Sequence, residues 1–160
     1  MISTSVPTIT GLALCLGLAL TPVSVAAETL LTVTHNGEVQ TYDMDDLQAM
    51  GATTFETETI WTEGAQSFTG VPLANLVADL DLDDGVLLAS AINDYTVEIP
   101  VSDAVEGGPI IAYLNNAEPM SVRDKGPLWI VYPYDSNPDY QSELVYSRSI
   151  WQLDRIETSD

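Results

Sequence analysis

Glu118-Pro119-Met120-Ser121-Val122-Arg123-Asp124-Lys125-Gly126-Pro127-Leu128-Trp129-Ile130-Val131-Tyr132-Pro133 sets a charged stretch directly before an unbroken apolar one. Leu128 to Tyr132 predicts a strand buried on both faces, because a continuous apolar run leaves no alternate position for water. Upstream, Pro109 to Leu114 is another apolar strand, ended by Asn115-Asn116.

Further toward the N-terminus, Val86 to Ile92, a turn at Asn93-Asp94 and Tyr95 to Pro100 form a hairpin. Ser102 to Glu106 is at most one helical turn, closed by Gly107-Gly108. The clearest helix has Pro72 near its first turn and Leu73, Leu76, Val77 and Leu80 recurring on one face. Its end runs into Asp79, Asp81, Asp83, Asp84 and Gly85. A calcium loop counted from Asp79 needs glycine at its sixth position and glutamate at its twelfth, where this chain has Asp84 and Ser90, so the aspartates read as a solvated turn. Thr53 to Trp61 and Gln66 to Thr69 read as strands turned at Glu63-Gly64. Asp43 caps a short helix through Met50, with Asp45 and Asp46 placed to favour its dipole and Gly51 ending it. Leu30 to His35 alternates apolar and polar residues, and Asn36-Gly37 offers a type I′ turn into Glu38 to Tyr42. The expected fold class is α+β, strand-rich, with mixed sheets and two or three short helices, and without repeats or linkers.

At the N-terminus, the apolar run Ile9 to Leu20 is followed by Pro22 and the small-residue stretch Ser24-Val25-Ala26-Ala27. This predicts a secretory signal peptide over 1–27 and one domain over 28–160, exported to a periplasmic or secreted location. The run is short for a bilayer span. The single cysteine, Cys15, lies inside the signal, so the mature chain has no thiol for a disulfide, a metal or a nucleophile.

The formal net charge is -20, from 24 carboxylates against 4 cations. Such a surface repels phosphate backbones and anionic headgroups, which excludes nucleic acid and stable membrane association after signal cleavage. All four cations, Arg123, Lys125, Arg148 and Arg155, fall in the last quarter, interleaved with Trp129, Tyr132, Tyr134, Tyr140, Tyr146 and Trp151. Positive charge beside aromatic faces can hold a planar anion, whereas the structural alternative is that the cations offset acidic neighbours and the rings fill the core. The sole histidine, His35, is far from any glycine-flanked serine, no phosphate-cradling loop is present, and no histidine or thiolate metal site can be composed. On composition and motifs the chain reads more as a binder than as an enzyme, and no catalytic residue or metal ligand is assigned.

The stretch from Glu118 to Pro133 resembles the oxidoreductase molybdopterin-binding domain family, the sulfite-oxidase-type fold. Trp61-Thr62-Glu63-Gly64, then Phe68-Thr69-Gly70-Val71-Pro72-Leu73 with Leu76, and the closing Trp151 to Ile156 are similar to its other landmarks, in order, over residues 30–156. The resemblance implies an α+β domain with several small sheets. It also implies a molybdenum-ligating cysteine ahead of the Phe-x-Gly-Val-Pro-Leu motif, yet Thr53 to Gly64 contains none. Where the family pattern carries histidine, glycine and arginine around Pro-Leu, the chain has Asp124, Lys125 and Trp129, although Arg123 and Lys125 can partly substitute.

The expectation is therefore an exported molybdopterin-oxidoreductase-like domain that has lost redox catalysis and acts as a ligand-binding or sensor-accessory module. The alternatives are a molybdopterin-dependent oxidoreductase and a structural partner of another exported protein. No cofactor is expected, and molybdopterin enters through the resemblance alone. A small anionic ligand is expected to meet Arg123, Lys125, Trp129, Tyr132, Tyr134 and Arg148.

Overall fold

Leu128, Trp129, Ile130, Val131 and Tyr132 are all buried in the computed structural model, which describes residues 27–159. The expected signal peptide lies outside the described residues except for Ala27. Strands β1 (Leu31–His35) and β2 (Glu38–Tyr42) form the N-terminal hairpin, and Asn36 and Gly37 both take the positive φ, 52° and 79°, that a type I′ turn demands. In α1 (Met44–Ala49) the Asp43 carboxylate accepts the Asp46 N–H at 2.9 Å, while the Asp46 carboxylate accepts the Asp43 N–H at 3.1 Å, a reciprocal cap. Next come β3 (Thr53–Glu58), β4 (Ala65–Pro72), α2 (Leu73–Asp79), β5 (Val86–Ala91) and β6 (Thr96–Pro100). They are followed by β7 (Ile110–Asn115), β8 (Glu118–Pro119), β9 (Trp129–Val131), α3 (Glu143–Arg148) and β10 (Leu153–Ser159). The fold is mixed α+β, strand-rich, with two sheets and three α-helices among the described residues.

One sheet runs β2-β1-β10-β5-β6, with β1 and β10 parallel and the other pairs antiparallel. The second runs β3-β4-β7-β8, with β9 also paired to β7. The central strand of the first sheet, β10, follows a stretch in which no regular element was expected. It is held by burial of Leu153 and Ile156, while Glu157 and Ser159 face outward. The single turn expected at Ser102 to Glu106 is a 3-10 turn over Val101–Asp103, and in the turn after α2 Asp81, Asp83 and Asp84 are exposed while Leu80 is buried and Leu82 packs on the core.

The motif at the end of β4 has a steric origin. Phe68 and Val71 are buried, and a Cβ on Gly70 would lie 2.1 Å from the Ile111 carbonyl oxygen, so β4 and β7 approach too closely there for any side chain. The strand register shifts between Thr69 and Gly70, and the Leu73 N–H then bonds to the Pro109 carbonyl at 2.9 Å as the chain enters α2.

The two sheets are stitched together by residues 150–153. The Ile130 N–H donates to Ile150 O at 2.9 Å and the Leu153 N–H to Leu128 O at 3.0 Å, after which the chain becomes β10. An isolated bridge between Trp129 and Trp151 lies within this seam. No described helix is long and apolar enough to cross a membrane.

Candidate functional site

Three elements bring aromatic rings to the seam. After β3 the chain turns at Thr59, whose buried hydroxyl accepts the Trp61 N–H at 3.1 Å and meets the Thr62 hydroxyl at 3.0 Å, which fixes the direction of Trp61. Trp151 is held by the backbone bonds of residues 150–153. Tyr146 is carried by α3, where the Ser142 hydroxyl accepts the Val145 N–H at 3.4 Å. The Trp61 ring centroid is 5.4 Å from Trp151, 5.9 Å from Tyr146 and 6.0 Å from Trp129, with interplanar angles of 76°, 85° and 63°. These are edge-to-face contacts, each worth about 0.5–1.5 kcal/mol beyond area burial.

Above this cluster opens a cleft of about 550 Å³, a volume suited to a small organic molecule. Trp61, Trp151 and Tyr146 line it, with Ile60 and Tyr95 on its sides and Glu143 as its one charged residue. A groove of about 460 Å³ adjoins it through Tyr95 and Ser147, and one of about 300 Å³ through Ile60 and Tyr146. Ile60 and Tyr95, 62% and 58% exposed, form an apolar rim that Leu144 extends on the other face of α3, at 60%.

The six residues expected to meet an anion are distributed differently. Trp129, Tyr132 and Tyr134 retain 1%, 0% and 1% of their surface, so they belong to the core, and none of them lines the cleft. Arg148 Nη1 donates to Asp103 Oδ2 at 2.8 Å, and the Tyr132 hydroxyl donates to the same oxygen at 2.8 Å. The Arg148 and Asp103 side chains are 16% and 18% exposed, and Arg148 Nε is buried without an acceptor. Burial and the neighbouring Asp103 charge push the Tyr132 hydroxyl well above the ordinary tyrosine range. Tyr134 is bonded to the Ser149 hydroxyl and is pushed up to about 12, chiefly by burial.

Lys125 lies 5.5 Å from the Trp129 ring centroid, a cation–π contact over a core ring, and Arg123 is exposed. Arg155 pairs with Asp94 at 2.5 Å and Asp154 at 3.0 Å. Of the six, none lines the cleft itself; Arg148 lines the groove of about 460 Å³ and Tyr134 the one of about 300 Å³. The physical reason is that apolar burial outweighs a solvated ligand contact for rings on a central strand, while Arg148 finds a carboxylate within the chain.

His35 is a packing residue at the hairpin end, with Nδ1 2.9 Å from the Thr158 hydroxyl. Among the described residues no group of His, Cys, Asp and Glu is arranged to hold a metal. The cleft residues the sequence left without a role are Ile60, Trp61, Tyr95 and Glu143. The available signal was Ile60-Trp61, two large apolar residues that break the Thr–Glu alternation of the preceding strand. No protein-family model matches the chain, and no curated protein matches it.

Proposed function

We propose that this chain is an exported, non-catalytic ligand-binding or sensor-accessory module on a sulfite-oxidase-type fold, and that the aromatic cleft beside α3 is its binding site. The observation that carries the proposal is the cleft itself. Its rings are fixed by backbone bonds and mutual edge-to-face contacts before any ligand arrives, which lowers the ordering cost of binding. In the family the chain resembles, the metal-ligating cysteine precedes the Phe-x-Gly-Val-Pro-Leu motif. Here Ile60 and Trp61 of that neighbourhood face the cleft instead.

These residues do not fit molybdopterin. The described residues contain no cysteine, the charged group on the cleft is the carboxylate Glu143, and Arg148 already serves Asp103. A phosphate-bearing pterin would meet repulsion where it needs cations. The oxidoreductase alternative therefore has no support from the donor set. The second reading, a structural partner of another exported protein, is favoured by one observation, the apolar rim of Ile60, Tyr95 and Leu144.

Native mass spectrometry and metal analysis of protein recovered from the periplasmic and secreted fractions test these readings. The expected result is a small organic adduct without molybdenum. One molybdenum per chain would overturn the proposal, and co-purification of a stoichiometric protein that dissociates on substitution of Leu144 would favour the second reading.

A further inference from the structure

Net charge alone says little about a ligand, but the local distribution of charge around the cleft is one-sided. No lysine or arginine lines it among the described residues, and Glu143 stands at its edge on the first turn of α3. Arg155, which comes near through the β5–β6 hairpin, is neutralised by Asp94 and Asp154. Arg148 lies on the other side of α3, in the adjoining groove, neutralised by Asp103. The remaining lining is dominated by indole and phenol rings, whose faces carry the negative end of the aromatic quadrupole.

The cleft lining holds aromatic rings, one carboxylate and no cation, and Lys125 sits over the core ring Trp129 without entering that lining, so an anion meets the Glu143 charge with no lining cation to offset it. The cleft favours a cation with a weakly hydrated charge, because such an ion loses little hydration on leaving water and gains the attraction of each ring it touches. The volume of about 550 Å³ admits an organic cation with an aromatic or short alkyl body, and the apolar sides at Ile60 and Tyr95 take up that body. The chain's net charge of -20 raises the local concentration of any cation near the mouth, although salt screens this contribution.

We infer that the aromatic cleft is selective for a small organic cation of the quaternary or alkylated ammonium class, with its charged head over the Trp61, Trp151 and Tyr146 rings and beside Glu143. This rests on the cleft being a ligand site, as proposed above, and adds the class of ligand it takes. It replaces the small anion suggested by the sequence.

Titration calorimetry of the described domain with three soluble probes tests it: phenyltrimethylammonium, benzyl alcohol and benzenesulfonate. Measurements at high salt, where the Debye length falls to a few ångström, remove the contribution of net charge. The cation is expected to bind about tenfold or more tightly than the alcohol, with the sulfonate weakest. Glu143→Gln is expected to weaken the cation about threefold and leave the alcohol unchanged, the modest effect of an exposed carboxylate. Trp61→Ala is expected to abolish binding of both, with circular dichroism reporting that the fold persists. Equal affinities for cation and alcohol would overturn the charge selectivity while leaving a ligand cleft in place. A preference for the sulfonate would also overturn it. Binding of no probe by the folded protein would remove the ligand-site reading as well.

Discussion

Replacing Arg148 by methionine tests whether a largely buried cation of this chain serves the fold. The substitution keeps most of the stem volume and removes the charge that meets Asp103 at 2.8 Å. Asp103 is then left with the Tyr132 hydroxyl on the same oxygen. Two unit charges about 4 Å apart attract by about 4 kcal/mol at an effective dielectric constant of 20, and part of that is spent on desolvation. Breaking a fully buried pair costs about 3–5 kcal/mol, and an exposed pair contributes less than about 1. Side chains 16% and 18% exposed place the cost between these limits, at about 2–3 kcal/mol. For a domain of this size that corresponds to a fall in Tm of about 6–12 °C. Urea unfolding followed by Trp fluorescence measures it, with Asp103→Asn and the double variant completing a cycle. The double variant is expected to cost less than the sum of the singles by about 1–2 kcal/mol. A single-variant cost below about 0.5 kcal/mol, at unchanged m-value, would refute the reasoning and return Arg148 to the surface as a free ligand group.

Gly70→Ala forces a methyl group to 2.1 Å from the Ile111 carbonyl oxygen and is expected to cost about 3 kcal/mol or more, read by thermal unfolding; a neutral outcome would show that β4 and β7 separate easily. Tyr134 stays protonated to about 12 in the folded state, so between pH 10 and 12 the unfolded chain releases its proton first and stability falls as pH rises. Its share of that loss is about 2–3 kcal/mol, beside those of Tyr42 and Tyr132, and Tyr134→Phe should reduce the decline by that share in chemical denaturation measured at each pH. Asp43→Ala removes the reciprocal cap of α1 and should cost about 1 kcal/mol, with Asp43→Asn retaining most of the stability.

The elements legible in the sequence are those whose signal is local. Asn36-Gly37 accepts positive φ twice, so the first hairpin appears where expected, and Asp43 with Asp46 marks the start of α1. Leu73, Leu76 and Val77 form the buried face of α2 in the anticipated spacing. By contrast, α3 is six residues long with a single buried position, Val145, too short for a hydrophobic period to register. Strand β10 alternates weakly, since Asp154 and Arg155 are half-buried by long-range pairing with β1 and β5, which local propensity does not encode.

The candidate site divides in the same way. Composition and order along the chain determined that residues 28–160 contain no cysteine, that the chain has a single histidine, and that the cations cluster with aromatics in the last quarter. What sequence proximity left open was which partner each member of that cluster takes. Asp103 lies 45 residues from Arg148, and Trp61 lies 90 residues from Trp151. Pairing across such distances depends on how the two sheets are stitched at residues 150–153. Tertiary structure decided that Trp129, Tyr132 and Tyr134 go inside, because they sit on or beside a strand whose one edge pairs with β7 and whose other edge bonds to the seam. It also decided that Trp61, Trp151 and Tyr146 form a cleft, because three separate elements end at one edge of the core, where burial is incomplete and the rings stay partly exposed.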